Sequence, residues 1–219
     1  MRSANTPTQA DPSLQTLQDI RRMMERSSRF MSLSGLSGLS AGVWAVIGAW
    51  VARGWLQEYN SDYFAGRAFV AEERDLVELK LLGLGVAVLI AALVSSTWFT
   101  WRKARRSGLP VWDPSAKRVL INMAIPLIAG GLFIAGLSYH TEWDLIAPSC
   151  LIFYGLALVN ASKYTLGEIR YLGLFEIALG LANMYYPQWG LYFWALGFGA
   201  LHIVYGLIMW WKYERRPES

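Results

Sequence analysis

One cysteine, Cys150, and two histidines, His140 and His202, are all this chain offers of the residues that most often hold soft metals or form disulfides. A lone cysteine cannot close an intrachain disulfide, so cysteine usage gives no clue to redox compartment. The histidines fall at different expected depths, which argues against a haem held between them. The sequence contains no HExxH pair, phosphate-binding glycine loop, nucleophile elbow or Cys/His cluster. The expectation is a protein with no metal, no cofactor and no enzymatic activity.

Charge is scarce as well. Charged residues make up 16% of the chain and hydrophobic residues 54%, whereas soluble domains carry about a quarter charged. The charges cluster between apolar runs instead of decorating every helix, which excludes an ordinary soluble fold. The net charge of +4 comes without a basic face bearing base-reading groups, so no nucleic-acid partner is expected.

What remains is apolar sequence in long blocks. Six runs lie at 33–54, 79–99, 119–139, 145–162, 169–186 and 190–211, each near the roughly 20 residues that cross a hydrocarbon core. The fourth and fifth are the shortest. Glycine recurs inside the runs, where small residues let helices approach. Tryptophans such as Trp50, Trp98, Trp143, Trp189 and Trp211 sit near their ends, where amphipathic rings favour the interface. Continuous runs also argue against a barrel, whose strands alternate. We expect an all-α membrane protein of six transmembrane helices, arranged as three helical hairpins and preceded by an amphipathic cytoplasmic helix.

The organisation follows from the flanks. Residues 1–30 form a cytoplasmic segment, 31–213 the transmembrane domain and 214–219 a short tail. Asp11-Pro12 reads as a helix start. Beyond it Leu14, Leu17, Ile20, Met24 and Met31 recur at helical spacing among Arg21, Arg22, Arg26 and Arg29. Such a helix rests on the inner leaflet, and residues 13–30 could also dock a cytoplasmic protein. The first apolar run follows some thirty residues and is too long for a signal-peptide core, so it reads as a retained anchor. The loops alternate in charge: residues 102–118 carry six Lys/Arg against one acid, and residues 140–144 carry two acids and no base. The positive-inside rule then puts both termini in the cytoplasm. The outer loop at 55–78 is acidic, and its second half, through Phe69, Val70, Leu76, Val77 and Leu79, has the spacing of a short surface helix.

An internal repeat runs through the spans. Ile152-Phe153-Tyr154-Gly155-Leu156 in the fourth matches Ile203-Val204-Tyr205-Gly206-Leu207 in the sixth, and Arg29-Phe30 before the first matches Arg170-Tyr171 before the fifth. This repeat underlies the expected hairpins 1–2, 3–4 and 5–6. In the first span Ser34, Gly38 and Gly42 fall four apart. They form a small-residue face suited to close packing, within the bundle or between copies in a homo-oligomer.

Glu176 is the outlier. It lies seven residues into the fifth span, with no charge beside it. An ionisable group at such depth costs about 2.5–3.5 kcal/mol to insert and tends to mark a functional site. A tight turn near residue 188 makes spans five and six antiparallel neighbours, which sets Glu176 within a turn of His202. A Glu176–His202 contact is expected, with Tyr154 and Tyr205 able to offer hydroxyls to the same centre. Together these four form the candidate ion or proton site. Pro126 interrupts the third span and should kink it, freeing a carbonyl that needs another donor.

The glycine-rich spans, Leu196-Gly197-Phe198-Gly199 and Tyr205-Gly206-Leu207 above all, resemble the HdeD-like acid-resistance membrane proteins. The opening Arg22-Met23-Met24-Glu25-Arg26-Ser27-Ser28-Arg29-Phe30 resembles that of uncharacterised bacterial membrane proteins. These resemblances imply the bacterial inner membrane and offer no catalytic residues. The functional expectation is a non-enzymatic inner-membrane protein, stress-responsive or regulating a partner. The alternative is a small proton- or cation-coupled transporter or channel.

Overall fold

A computed structural model describes residues 34–64, 71–106, 108 and 112–215. The expected amphipathic helix at 13–30 and the end of the tail lie outside these residues. Every regular element among the described residues is helical. The long helices are α1 (Gly35–Phe64), α2 (Ala71–Arg106), α3 (Pro114–Tyr139), α4 (Ile146–Ala161) and α5 (Ile169–Tyr185). The sixth span is composite, built of α6 (Gly190–Trp194), a π-helical stretch (Ala195–Leu201) and α7 (His202–Tyr213). Short 3₁₀ turns at Trp143–Leu145, Ser162–Tyr164 and Pro187–Trp189 lead into or out of α4 and into the sixth span.

Five segments are long and apolar enough to cross a membrane: Gly35–Tyr59, Arg74–Arg106, Pro114–Tyr139, Trp143–Tyr164 and Pro187–Tyr213. The remaining helix, α5, has 17 residues and a length of about 26 Å, at the lower limit for a span. These are the helices of an integral membrane protein. Their outward faces are apolar: Leu89, Leu93 and Val94 of α2 and Ile125, Ile128 and Leu132 of α3 are exposed, as lipid-facing side chains must be.

One local feature departs from expectation, and a second meets it. The surface helix expected in the second half of the 55–78 loop is, from Ala71 onward, the opening of α2 itself. Its helical periodicity is real, but nothing between Ala71 and Leu79 breaks the helix before the apolar run begins. At Pro126 the helix α3 is continuous. The proline has no N–H for the carbonyl four residues back, and that carbonyl, on Asn122, instead accepts a 2.8 Å hydrogen bond from Asn160 Nδ2 of α4.

Glycines set the closest helix approaches. A Cβ on Gly155 would meet Gly173 O at 2.6 Å and Ile177 N at 2.9 Å, and one on Gly180 would meet Pro148 O at 2.9 Å and Ile152 N at 3.0 Å. Helices α4 and α5 therefore cross backbone to backbone. The sixth span crosses α1 in the same way. A Cβ on Gly206 would lie 2.8 Å from Gly35 O and 2.9 Å from Leu39 Cα, and one on Gly42 would lie 2.7 Å from Gly199 O and 2.9 Å from Ile203 N. Residue by residue, Pro148, Ile152 and Gly155 correspond to Gly199, Ile203 and Gly206. Gly173, Ile177 and Gly180 correspond to Gly35, Leu39 and Gly42, each set at one constant spacing along the chain.

The repeat is thus visible in the packing: the match between spans four and six keeps its register, and the match between spans one and five is shifted by three residues. Matching Arg29-Phe30 to Arg170-Tyr171 would set Gly35 beside Glu176, whereas the crossings set it beside Gly173. The tightest crossings join α4 to α5 and the sixth span to α1. Spans five and six touch chiefly through side chains. Within the face at Ser34, Gly38 and Gly42, Gly42 is tight, while a Cβ at Gly38 would stand 3.4 Å from Gly206 Cα, near ordinary contact. That face is used inside the chain and is covered by the sixth span.

Both ends of the described chain meet at one face of the bundle. The Glu214 carboxylate accepts from Gly35 N–H at 2.6 Å and Ser34 Oγ at 3.0 Å, and Lys103 Nζ lies 3.5 Å away. A carboxylate there satisfies the orphan N–H groups and the positive dipole end of α1. At the opposite face Trp143 Nε1 donates to Asp75 Oδ1 at 2.9 Å, and Arg74 approaches Asp144 at 3.6 Å.

Candidate functional site

From the N-cap residue Glu168, the interior stripe of α5 runs through Leu172, Glu176, Gly180 and Asn183, at helical spacing on one side. From Leu172 to Asn183 this stripe is buried. Glu176 is 0% exposed. In the crossing repeat it occupies the place that Gly38 has in the other pair, so close packing does not call for a carboxylate there. The group is an addition to the motif, made at an energetic cost.

Its surroundings come from the sixth span and α4. His202 Nδ1 lies 3.4 Å from Glu176 Oε1, with both side chains buried. The same Nδ1 lies 3.0 Å from Gly197 O, and Nε2 lies 2.8 Å from the Tyr154 hydroxyl. A carbonyl oxygen only accepts, so Nδ1 must carry a hydrogen. In the neutral ring Nε2 then accepts from Tyr154. Neither Glu176 oxygen has a hydrogen-bond partner among the described residues.

The π-helical stretch makes this arrangement possible. Gly197 sits within it, and a Cβ there would collide with Glu176 Oε2 and with Leu151 Cδ2. Glycine lets the carboxylate lie against the backbone of the sixth span, and a larger residue would have to push the Glu176 and Leu151 side chains aside. The widened turn also turns the Gly197 carbonyl towards His202. Single π-turns inside α-helices occur often at functional sites. Phe198 packs beside Tyr154 and His202, with ring centroids 5.1 and 6.1 Å away, and walls the centre with aromatic surface.

Of the residues singled out in the sequence, Glu176, His202 and Tyr154 come together. Tyr205 does not join them by a hydrogen bond. Its hydroxyl is buried and has no partner among the described residues, and the ring packs with Tyr154 against Leu158, Ile169 and Leu172. Sequence reasoning missed Gly197, although Leu196-Gly197-Phe198-Gly199 stands out as a pattern. It also missed the cluster of Glu168, Lys212 and Tyr213.

That cluster lies at the face carrying the chain ends. Glu168 Oε1 accepts from Lys212 Nζ and, at 2.7 Å, from Tyr213 Oη. Partial burial raises the proton affinity of this carboxyl, but the hydrogen bonds from Lys212 and Tyr213 outweigh it and hold Glu168 below its ordinary value. A group with a depressed folded value stabilises the fold above its unfolded value, about pH 4.3. That stabilisation is lost as pH falls through the lower folded value. Glu168→Gln is expected to lower the neutral plateau of a melting-temperature profile slightly, since the pair is partly exposed, and to converge with the wild type at low pH, so that its acid limb is flatter. An unaltered acid limb would count against the assignment.

No group of three or more His, Cys, Asp or Glu side chains able to hold a metal ion occurs among the described residues. Compared with protein-family models, with curated proteins and with solved structures, the chain matches none.

Proposed function

We propose that this is a non-enzymatic integral membrane protein whose packing responds to protonation of the Glu176–His202–Tyr154 centre. The observation that carries the reading is a fully buried carboxyl with both oxygens unpartnered, 3.4 Å from a buried imidazole. One proton more or less at this site changes which hydrogen bonds hold α5 to the sixth span. Spans five and six meet chiefly through such side chains, so that change is one the bundle can transmit and a partner can read. Residues 13–30 are the proposed docking segment for a cytoplasmic partner. The bacterial inner membrane, with both termini inside, is the proposed location. A role in stress response is what the resemblance to HdeD-like proteins implies, and self-association belongs to the same reading.

The second reading is a small proton- or cation-coupled transporter. It is favoured by the buried, unpartnered polar atoms of Tyr205 and Asn183, on either side of Glu176 along the bundle.

Purified protein in liposomes separates the two, with wild type and Glu176→Gln compared between about pH 5 and 8. The regulator reading expects no sustained proton or cation flux and a pH-dependent change in tryptophan fluorescence that Glu176→Gln abolishes. Flux lost in Glu176→Gln would make Glu176 a transport site instead. Neither flux nor a pH-dependent structural change in the wild type would sink both readings.

A further inference from the structure

The geometry points to a one-sided proton path: the Glu176–His202 centre exchanges protons with the face that carries both chain ends, through Tyr154, Tyr205 and Glu168, and is sealed from the opposite face. This rests on the proton-responsive reading and adds to it which compartment the centre reports.

The path follows one stripe on each of two elements. On the sixth span His202, Tyr205 and Lys212 are spaced three and seven residues apart, so they share a face, with Tyr213 adjoining. Glu168, at the N-cap of α5, stands eight residues before Glu176, about 12 Å along the axis. Tyr154 from α4 meets His202 Nε2 at 2.8 Å. Tyr205 packs into the same cluster as Tyr154, and on the sixth span it lies between His202, which Tyr154 meets, and the Lys212-Tyr213 pair that holds Glu168. The Tyr205 hydroxyl is buried without a protein partner among the described residues. A buried hydroxyl in that state calls for a mobile donor or acceptor, and a passing water or proton is the chemistry that fits. Glu168 is the terminus. Its side chain is 26% exposed and already accepts from Tyr213 and Lys212.

The opposite direction is closed. Leu151 is 0% exposed and lies against Gly197. One turn beyond Glu176, Gly180 is in backbone contact with Pro148 and Ile152. Asn183 is also buried, with Oδ1 unpartnered among the described residues, but it stands two turns from Glu176, beyond that seal, and its Nδ2 is committed to Tyr186 O.

The transfer balances without a redox partner. A proton taken up by the Glu168 carboxylate passes through an intervening water to the Tyr205 oxygen as Tyr205 releases its own, again through water, towards Tyr154. Tyr154 gives its proton to His202 Nε2 and is replenished from Tyr205. His202 Nδ1–H is then released to Glu176 Oε1. Each tyrosine gives one proton and receives one, His202 ends neutral, and the net change is one proton moved from Glu168 to Glu176. The titratable groups facing Glu176 are Tyr154 from α4 and His202 from the sixth span, with Tyr205 one turn below. None of them is a second carboxylate.

The test uses the full chain in proteoliposomes with uniform orientation, checked by protease access to the carboxyl-terminal tail. The probe is a rapid pH jump on one side, and the readout is the infrared band of the Glu176 carboxyl, identified by its loss in Glu176→Gln. A jump on the face carrying the chain ends is expected to titrate the band promptly, and a jump on the opposite face is not. Tyr205→Phe is expected to slow the response about tenfold or more while leaving its endpoint unchanged. Prompt titration from the opposite face, or an unchanged rate in a folded Tyr205→Phe, would overturn the path. The sidedness of the wild type alone decides the matter if that variant does not fold. A wild-type carboxyl band that titrates from neither side would remove the proton-responsive reading, and the path with it.

Discussion

Gly206→Leu drives the first and sixth spans apart and abolishes the folded bundle, while Gly38→Ala leaves it standing. The contrast is the expected result because two glycines of the same crossing differ in what surrounds them. A Cβ at Gly206 would sit 2.8 Å from Gly35 O and 2.9 Å from Leu39 Cα, both backbone atoms. Backbone cannot rotate away as a side chain can, so the helices must separate. The added methylenes bring the usual overpacking cost of about 1–3 kcal/mol, and the lost crossing adds to it. Gly38 offers 3.4 Å to the nearest atom, and a methyl group there is expected to cost less than about 0.5 kcal/mol. Gly42→Leu should behave like Gly206→Leu, since it faces Gly199 O at 2.7 Å. Thermal melting in detergent, read beside gel filtration, checks the order. Equal melting temperatures for Gly38→Ala and Gly206→Leu would refute the assignment of the crossing.

The second large effect lies at the polar centre. His202→Leu leaves Glu176 buried beside Gly197 with no imidazole, and breaking such a pair from one side costs about 3–5 kcal/mol in soluble interiors. In membranes the cost is softened because the unfolded chain also finds partners, and measured pair energies average about 0.6 kcal/mol with a ceiling near 1.7. The Glu176–His202 pair is fully buried and shares its histidine with Gly197 O and Tyr154, so its coupling is expected near that ceiling. The measurement is a double-mutant cycle of Glu176→Gln, His202→Leu and both together, in unfolding free energy. The double variant should be more stable than the sum of the single losses predicts, because it leaves no buried carboxyl or imidazole without its partner. A coupling below about 0.3 kcal/mol would mean that the two groups are neighbours without being partners.

Much of this architecture is legible in the order of residues alone. Blocks of about twenty apolar residues admit only one economical way to satisfy their backbone polar groups in lipid, which is a helix. Composition and run length therefore determine the class, the spans and the absence of strands among the described residues. Glu176 stands out for a similarly local reason: a carboxylate amid Leu, Phe and Ile needs no neighbour to be recognised as costly. The freed carbonyl at Pro126 follows from covalent chemistry, although its donor, Asn160, does not.

What only the tertiary structure decided was which faces meet. Glycine-rich spans look alike from one to the next, and in lipid there is no hydrophobic penalty to choose one face over another. The choice falls to the fit of small residues at ångström scale, which chain order does not encode. Hence the tightest crossings join α4 to α5 and the sixth span to α1; the repeat marks Gly155 and Gly206 as equivalent, but not that Gly206 meets Gly35. The π-helical stretch at Ala195–Leu201 arises the same way. An α-helical register there would present a different backbone face to Glu176, and only the packed carboxylate and His202 reveal why the wider turn is kept. Sequence by itself determined that this chain is a bundle of membrane helices with one buried acid. The fold decided that the acid sits against Gly197 and shares a histidine with Tyr154, because side-chain chemistry names the candidates and only helix packing brings them within hydrogen-bonding distance.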